Sequence, residues 1–122
     1  MDEVSSAHTR PSILPRIIAE PWGEMCWLID DALSPGAGVS LAEMILKPGA
    51  ESPSHRHPNC TEAIHLVAGL VEQAIDEQIY YLRPGETVLV PVGAVHWSRN
   101  VGDEEARMTI VYSAGTRLYE AV

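Results

Sequence analysis

Two histidines one residue apart, His55 and His57, constrain this chain more than any other feature, because of what accompanies them. They sit in the stretch Gly49–Gly69, GAESPSHRHPNCTEAIHLVAG, which also carries Glu62. A later stretch, Gly85–Asn100, GETVLVPVGAVHWSRN, brings a third histidine, His96. Side chains two apart on a β-strand share a face, so His55 and His57 point the same way. A Pro-Asn turn follows, then a strand headed by Glu62, while the Pro91-Val92-Gly93 turn re-aims the segment carrying His96. Neutral imidazoles with one carboxylate suit a divalent transition metal of the Mn, Fe, Co, Ni, Cu or Zn series. Leaving the four residues merely to fill a core is costly, since a buried carboxylate without a partner costs several kcal/mol or stays protonated. One metal ion per chain, bound by His55, His57, Glu62 and His96, removes that cost.

The rest of the chain reads as short strands between Gly/Pro turns. Strands are expected over 13–18, 25–30, 39–47, 62–68, 70–75, 78–82, 87–90, 94–100 and 107–113, with a last turn and possible edge strand to Val122. A hairpin turn is expected at Asp76-Glu77. Alternation puts Ala42, Met44 and Leu46 on one face of their strand, Glu62, Ile64 and Leu66 on one face of the next, and Met108, Ile110 and Tyr112 on one face of the last. These, with Ser98, are expected to face inward and line a pocket for a small molecule. His65 falls on the outer face and is not counted as a ligand. Cys60 shares the parity of Glu62, but the preceding Pro58-Asn59 turn leaves its direction open. No stretch gives a long 3.6-residue stripe, so the fold is expected to be all-β, a double-sheet jelly roll or barrel.

The two stretches resemble both sequence motifs of the cupin superfamily, G-x5-H-x-H-x(3 or 4)-E-x6-G and G-x5-P-x-G-x2-H-x3-N, at every specified position. That resemblance implies the double-stranded β-helix of the cupin jelly-roll barrel. It also implies direct coordination by Glu62, although three histidines with an open position, leaving Glu62 as a base, is a recognised zinc arrangement too. Small single-domain cupins include dioxygenases, isomerases, lyases and sensory or ligand-binding domains. The expectation is a metal-dependent enzyme acting on a small organic molecule, oxygenase-like, with His55, His57, Glu62 and His96 catalytic through the metal. The alternatives are a non-catalytic sensory cupin and a Lewis-acid isomerase or lyase. Asn100, which closes the second motif, is expected to fix the turn after its strand.

With 122 residues the chain is long enough for one domain, expected over 13–122 behind a flexible tail at 1–12. Its net charge of −9 repels phosphate backbones and argues against nucleic acid or an anionic membrane as partner. The polar start lacks the apolar core of a signal peptide, and two cysteines make no disulfide framework, so a cytoplasmic setting is expected. Trp22, Trp27 and neighbouring aliphatics near the N-terminus suggest an apolar face, and cupins commonly pair through such strands. A homodimer is therefore expected.

Overall fold

The structure is a computed structural model that describes residues 14–122; the expected tail at 1–12 lies outside the described residues. Eleven strands follow one another: β1 (Arg16–Glu20), β2 (Gly23–Ile29), β3 (Ser40–Leu46), β4 (His55–Arg56), β5 (Glu62–Ala68), β6 (Val71–Ile75), β7 (Gln78–Leu82), β8 (Thr87–Val90), β9 (His96–Asn100), β10 (Ala106–Tyr112) and β11 (Glu120–Ala121). They form a six-stranded sheet in the order β1-β2-β3-β10-β5-β8 and a five-stranded sheet in the order β11-β4-β9-β6-β7. All pairings are antiparallel. The described residues contain no helix, and so none that could cross a membrane. This is the expected jelly-roll barrel.

The inner faces follow from alternation. Ala42, Met44 and Leu46 are buried on β3, Glu62, Ile64 and Leu66 on β5, and Met108, Ile110 and Tyr112 on β10. The ladder places Met108 opposite Met44 on one side and Leu66 on the other, so the central three strands present one apolar surface. Each fully buried Leu, Ile or Met there stabilises the fold by about 1.5–3 kcal/mol.

The motif glycines have a backbone explanation. Gly49, Gly69, Gly85 and Gly93 all take positive φ, at 74°, 97°, 94° and 77°, a region costly for residues with a Cβ. At Gly69 a Cβ would also lie 2.8 Å from the Ala106 Cα, so any side chain would push β5 away from β10. The hairpin between β6 and β7 turns at Asp76-Glu77 as expected, with Asp76 at φ 52° and its carboxylate accepting the Val95 N–H at 3.0 Å.

Two expectations need correcting. The first strand, expected over 13–18, leaves out Leu14 and Pro15 and runs from Arg16 on to Glu20, because its bounds are set by pairing with β2 after Pro15; residue 13 lies outside the described residues. Trp27 is not part of an apolar outer face: it is 5% exposed and stacks on Tyr112 at 5.7 Å between ring centroids. The exposed aliphatics near this end are Leu14, Ile17 and Ile18.

Candidate metal centre

The four motif side chains meet on the inner face. His55 is the ladder partner of His96, joining β4 to β9, while Glu62 heads β5 on the facing sheet. One donor atom from each of His55, His57, Glu62 and His96 lies within 4.8 Å of all the others. His57, Glu62 and His96 are buried, and His55 is half-buried on the open side.

The hydrogen bonds fix the chemistry of the imidazoles. His55 Nδ1 faces the Pro53 carbonyl at 2.7 Å, His57 Nδ1 the Leu118 carbonyl at 2.8 Å and His96 Nδ1 the Ala94 carbonyl at 2.9 Å. A carbonyl oxygen only accepts, so each Nδ1 must carry the proton and donate it. In the neutral rings every Nε2 therefore presents a lone pair toward the centre, the tautomer a metal requires. His57 Nε2 is buried without a hydrogen-bond partner, although Glu62 Oε1 is only 3.2 Å away. His96 Nε2 and Glu62 Oε1 stand 2.9 Å apart, two acceptors facing each other unless a cation or proton lies between them. The donor set fits a divalent transition metal, and the chain binds one such ion per chain through these four residues.

The charges respond accordingly. Burial acts against ionisation of Glu62, but the close approach of the His57 and His96 ring nitrogens and their charges outweigh it and hold the carboxyl at about 2. Burial, then the charge of neighbouring His96, pushes His55 down to about 4, so it stays neutral at physiological pH. Burial acts to lower His96 as well, yet its bond to Glu62 and that carboxylate's charge prevail and raise it above 6.5. In the metal-free protein, at pH below that raised value, a proton on His96 occupies the position between the two groups. Metal uptake is expected to displace the His96 proton and release it at mildly acidic pH, and to release progressively less as the pH is raised through the elevated His96 value. Calorimetry in buffers of different ionisation heats reads this directly. Release that does not decline with rising pH would contradict it.

The centre opens on a cavity of about 330 Å³ lined by Glu20, Trp22, Met25, Met44, Ser52, Pro53, His55, Glu62, His96, Ser98, Ile110, Tyr112, Arg117 and Tyr119. Of the expected pocket residues, Met44, Ser98, Ile110 and Tyr112 lie on its wall. Ala42, Leu46, Ile64, Leu66 and Met108 do not: they point inward as expected but are packed in the core, at most 1% exposed. Ser98 donates from its hydroxyl to buried Gln73, and its own N–H goes to Ser52 Oγ at 2.9 Å, giving the cavity one polar wall. Tyr112 is pushed well above the usual phenol range by burial and by the charge of Glu62, so it remains a protonated phenol. Cys60 is a buried core thiol, raised by burial and by Glu62, and stands outside the four-residue set. His65 lies on the outer face, bonded to Thr87 Oγ1 at 2.7 Å.

The C-terminal segment contributes what sequence reasoning missed. It clamps the first motif: Leu118 accepts from His57, Leu118 N–H donates to Asn59 Oδ1 at 2.9 Å, and β11 pairs with β4. It also sends Arg117 and Tyr119 to the cavity wall, with Tyr119 stacked on His55 at 4.7 Å and 14°. The only signal in the sequence was that Arg117 and Tyr119, two apart, would share a face if that segment were extended.

Residues 42–112 match the family described as the cupin domain, over more than half of the chain. The chain is a cupin. Germin-like protein 3-8 of Oryza sativa subsp. japonica is 38% identical to it over 82 residues, which is 63% of this chain and 36% of that protein. Polyketide synthase CurC of Streptomyces cyaneus is 39% identical over 64 residues, 52% of this chain and 42% of that one. This cupin spans less than half the length of the curated relatives it matches. Among solved structures, an oxalate oxidase superposes with a TM-score of 0.75 at 30% identity, covering 84% of this chain and 57% of the other. Oxalate decarboxylase of Bacillus subtilis, a protein with Mn(II) centres, superposes at 0.81 with 18% identity over 88% of this chain and 30% of its own, a likeness of fold.

Proposed function

We propose that this cupin is a metal-dependent enzyme that oxidises a small organic acid with dioxygen. The observation that carries the reading is the half-buried His55 edge of an otherwise enclosed three-histidine, one-glutamate centre, facing a cavity that admits only a small molecule. A divalent metal held there supplies Lewis acidity and, if redox-active, one-electron chemistry with oxygen. Around it the chain's own groups bind and orient. Ser52 and Ser98 offer hydroxyls, Tyr112 a phenolic proton, and the apolar wall of Met25, Met44 and Ile110 keeps water out. The likeness to oxalate oxidase supports the choice of an acid as substrate and of oxidation as reaction.

Protein loaded with Mn(II), then with Fe(II), should consume oxygen when supplied with members of a panel of short-chain acids, and His96→Ala should abolish the uptake. Acid consumed without oxygen uptake would replace oxidation by Lewis-acid lyase chemistry. Binding without consumption would leave a ligand-binding domain.

We also propose a homodimer through the edge strand β1, where Ile17 and Ile18, with Leu14 just before the strand, expose aliphatic surface. Light scattering at micromolar concentration should give twice the chain mass, and a monomer mass would rule the dimer out.

A further inference from the structure

Arg117 is held in the cavity by three aromatic rings. Its guanidinium carbon lies 4.9 Å from the Trp27 ring centroid, 5.2 Å from Tyr119 and 5.4 Å from Tyr112. Ring contacts of this kind engage a cation's charge. They do not satisfy its N–H groups, which project in the plane of the guanidinium and need acceptors. Among the described residues Arg117 has no ion pair, and its Nε is buried without a hydrogen-bond partner. A purely structural arginine filling the space between Trp27 and Tyr112 would account for the stacking but not for donors left unmet beside a cavity.

The position is informative as well. Tyr112 packs edge-on against His57 at 5.2 Å, and Tyr119 stacks on His55 at 4.7 Å. Arg117 is therefore separated from His57 and His55 by a single ring each, Tyr112 and Tyr119, and lines the same cavity. Charge counting agrees: a divalent ion with one carboxylate leaves a single positive charge, and Arg117 adds another. Glu20, the further acid on the cavity wall, takes one charge away, so the loaded cavity keeps a single net positive charge; among the described residues Glu20 forms no ion pair with Arg117. Within a chain of net charge −9 this cavity is a local positive site, suited to a small anion, and Arg117 supplies a second cationic point apart from the metal.

We infer that Arg117 binds the distal carboxylate of a short dianionic acid whose other end lies at the open side of the metal centre, which makes it a specificity-determining residue. The inference rests on the organic-acid reading above and adds that the substrate carries two anionic groups. A planar fork held in place by rings loses little freedom on pairing with a carboxylate.

The test uses protein loaded with redox-silent Zn(II) and calorimetric titration of oxalate, malonate and succinate, each against its monoamide: oxamate, malonamate and succinamate. The best-fitting diacid should bind wild type about tenfold or more tightly than its monoamide. Arg117→Met, which keeps the stacked volume without charge, should weaken that diacid by a similar factor and erase the difference, while Arg117→Lys should restore part of it. The visible spectrum of the Co(II)-loaded variants without added acid should not change, and metal content by elemental analysis should stay near one per chain, showing that the centre is intact. Equal binding of the diacid by wild type and Arg117→Met would overturn the inference and leave the oxidation of an acid standing. Should Arg117→Met fail to fold, a wild-type ratio near one between diacid and monoamide overturns it equally. Failure of every acid to bind wild type sinks both readings. Arg117-dependent binding without oxygen uptake sinks only the oxidation.

Discussion

His96→Ala is expected to lose the metal and much of the stability of the metal-free protein, whereas His55→Ala loses the metal alone. Removing one of four donors should lower affinity by about two orders of magnitude or more, since even the groups that only orient a ligand cost 10–100-fold. Purified His55→Ala, His57→Ala and His96→Ala should all carry far less than one metal per chain by elemental analysis. Stability separates them. Glu62 is fully enclosed, and in the metal-free state its charge is balanced by protonated His96, whose Nε2 lies 2.9 Å from Oε1. Deleting that partner strands a buried carboxylate, at a cost of about 3–5 kcal/mol. His55 makes no bond to Glu62 and is half-buried, so its loss should cost far less. The balance has a pH signature. Glu62 ionises at about 2 in the folded protein against 4.5 unpaired, so its contribution is present above 4.5 and is lost as the pH falls towards 2. The His96 contribution is present below 6.5 and fades as the pH rises through the elevated value. Denaturant titration of metal-free wild type should show both slopes, and His96→Ala should lose the upper one. His65→Ala is the control: its ring lies on the outer face, and metal content should not move. Full metal occupancy in His96→Ala, or loss of metal in His65→Ala, would refute the ligand assignment.

What could be read from the sequence divides along a physical line. The ligand set was legible because two rigid periodicities place it: the two-residue period of His55-Arg56-His57, and the motif turns whose glycines require positive φ. Inward against outward was legible too, since alternation fixes the face of every strand residue. Depth along the barrel was not. Ile64 and Met44 are both inward, yet only Met44 reaches the cavity, because that depends on where each ladder position falls relative to the open end. No local pattern encodes it. The C-terminal segment was opaque for a different reason. Arg117 and Tyr119 reach the site only because β11 pairs with β4 and Asn59 holds the loop through Thr116 and Leu118, contacts about sixty residues apart in sequence. A run such as GTRLYEAV carries nothing that announces such a partner. Trp27 likewise reads as a surface aromatic until Arg117 and Tyr112 are seen to enclose it.

Asn100→Asp should be among the most destabilising single changes in this cupin, although it alters one atom type far from solvent. Asn100 is 1% exposed. Its amide nitrogen donates to the Leu46 carbonyl at 2.9 Å and to the Glu104 carbonyl at 2.7 Å, while its amide oxygen accepts the Gly102 N–H at 2.9 Å. One side chain thereby joins the end of β3 to the turn between β9 and β10. Asn100→Ala forfeits all three bonds and should cost about 2–3 kcal/mol. That corresponds to roughly 10 °C in melting temperature for a domain of this size. Asn100→Asp keeps the bond from Gly102 but turns a carboxylate oxygen toward two carbonyl oxygens in a buried place. Its cost should exceed that of alanine, on the order of 4 kcal/mol. The two variants differ in their response to acid. Burial and the facing carbonyls raise the folded-state pKa of the new carboxyl above its unfolded value. The ionic part of the penalty is therefore absent below that unfolded value. It grows as the pH rises and saturates above the folded one. Asn100→Asp should then regain stability relative to Asn100→Ala on acidification, with the metal-free proteins compared by denaturant titration. Metal affinity of the folded fraction should stay within a few-fold of wild type in both, since Asn100 supplies no donor to the centre. A contact between Asn100 and substrate predicts the reverse pattern: wild-type denaturation midpoints with weakened acid binding. That outcome would overturn the structural role.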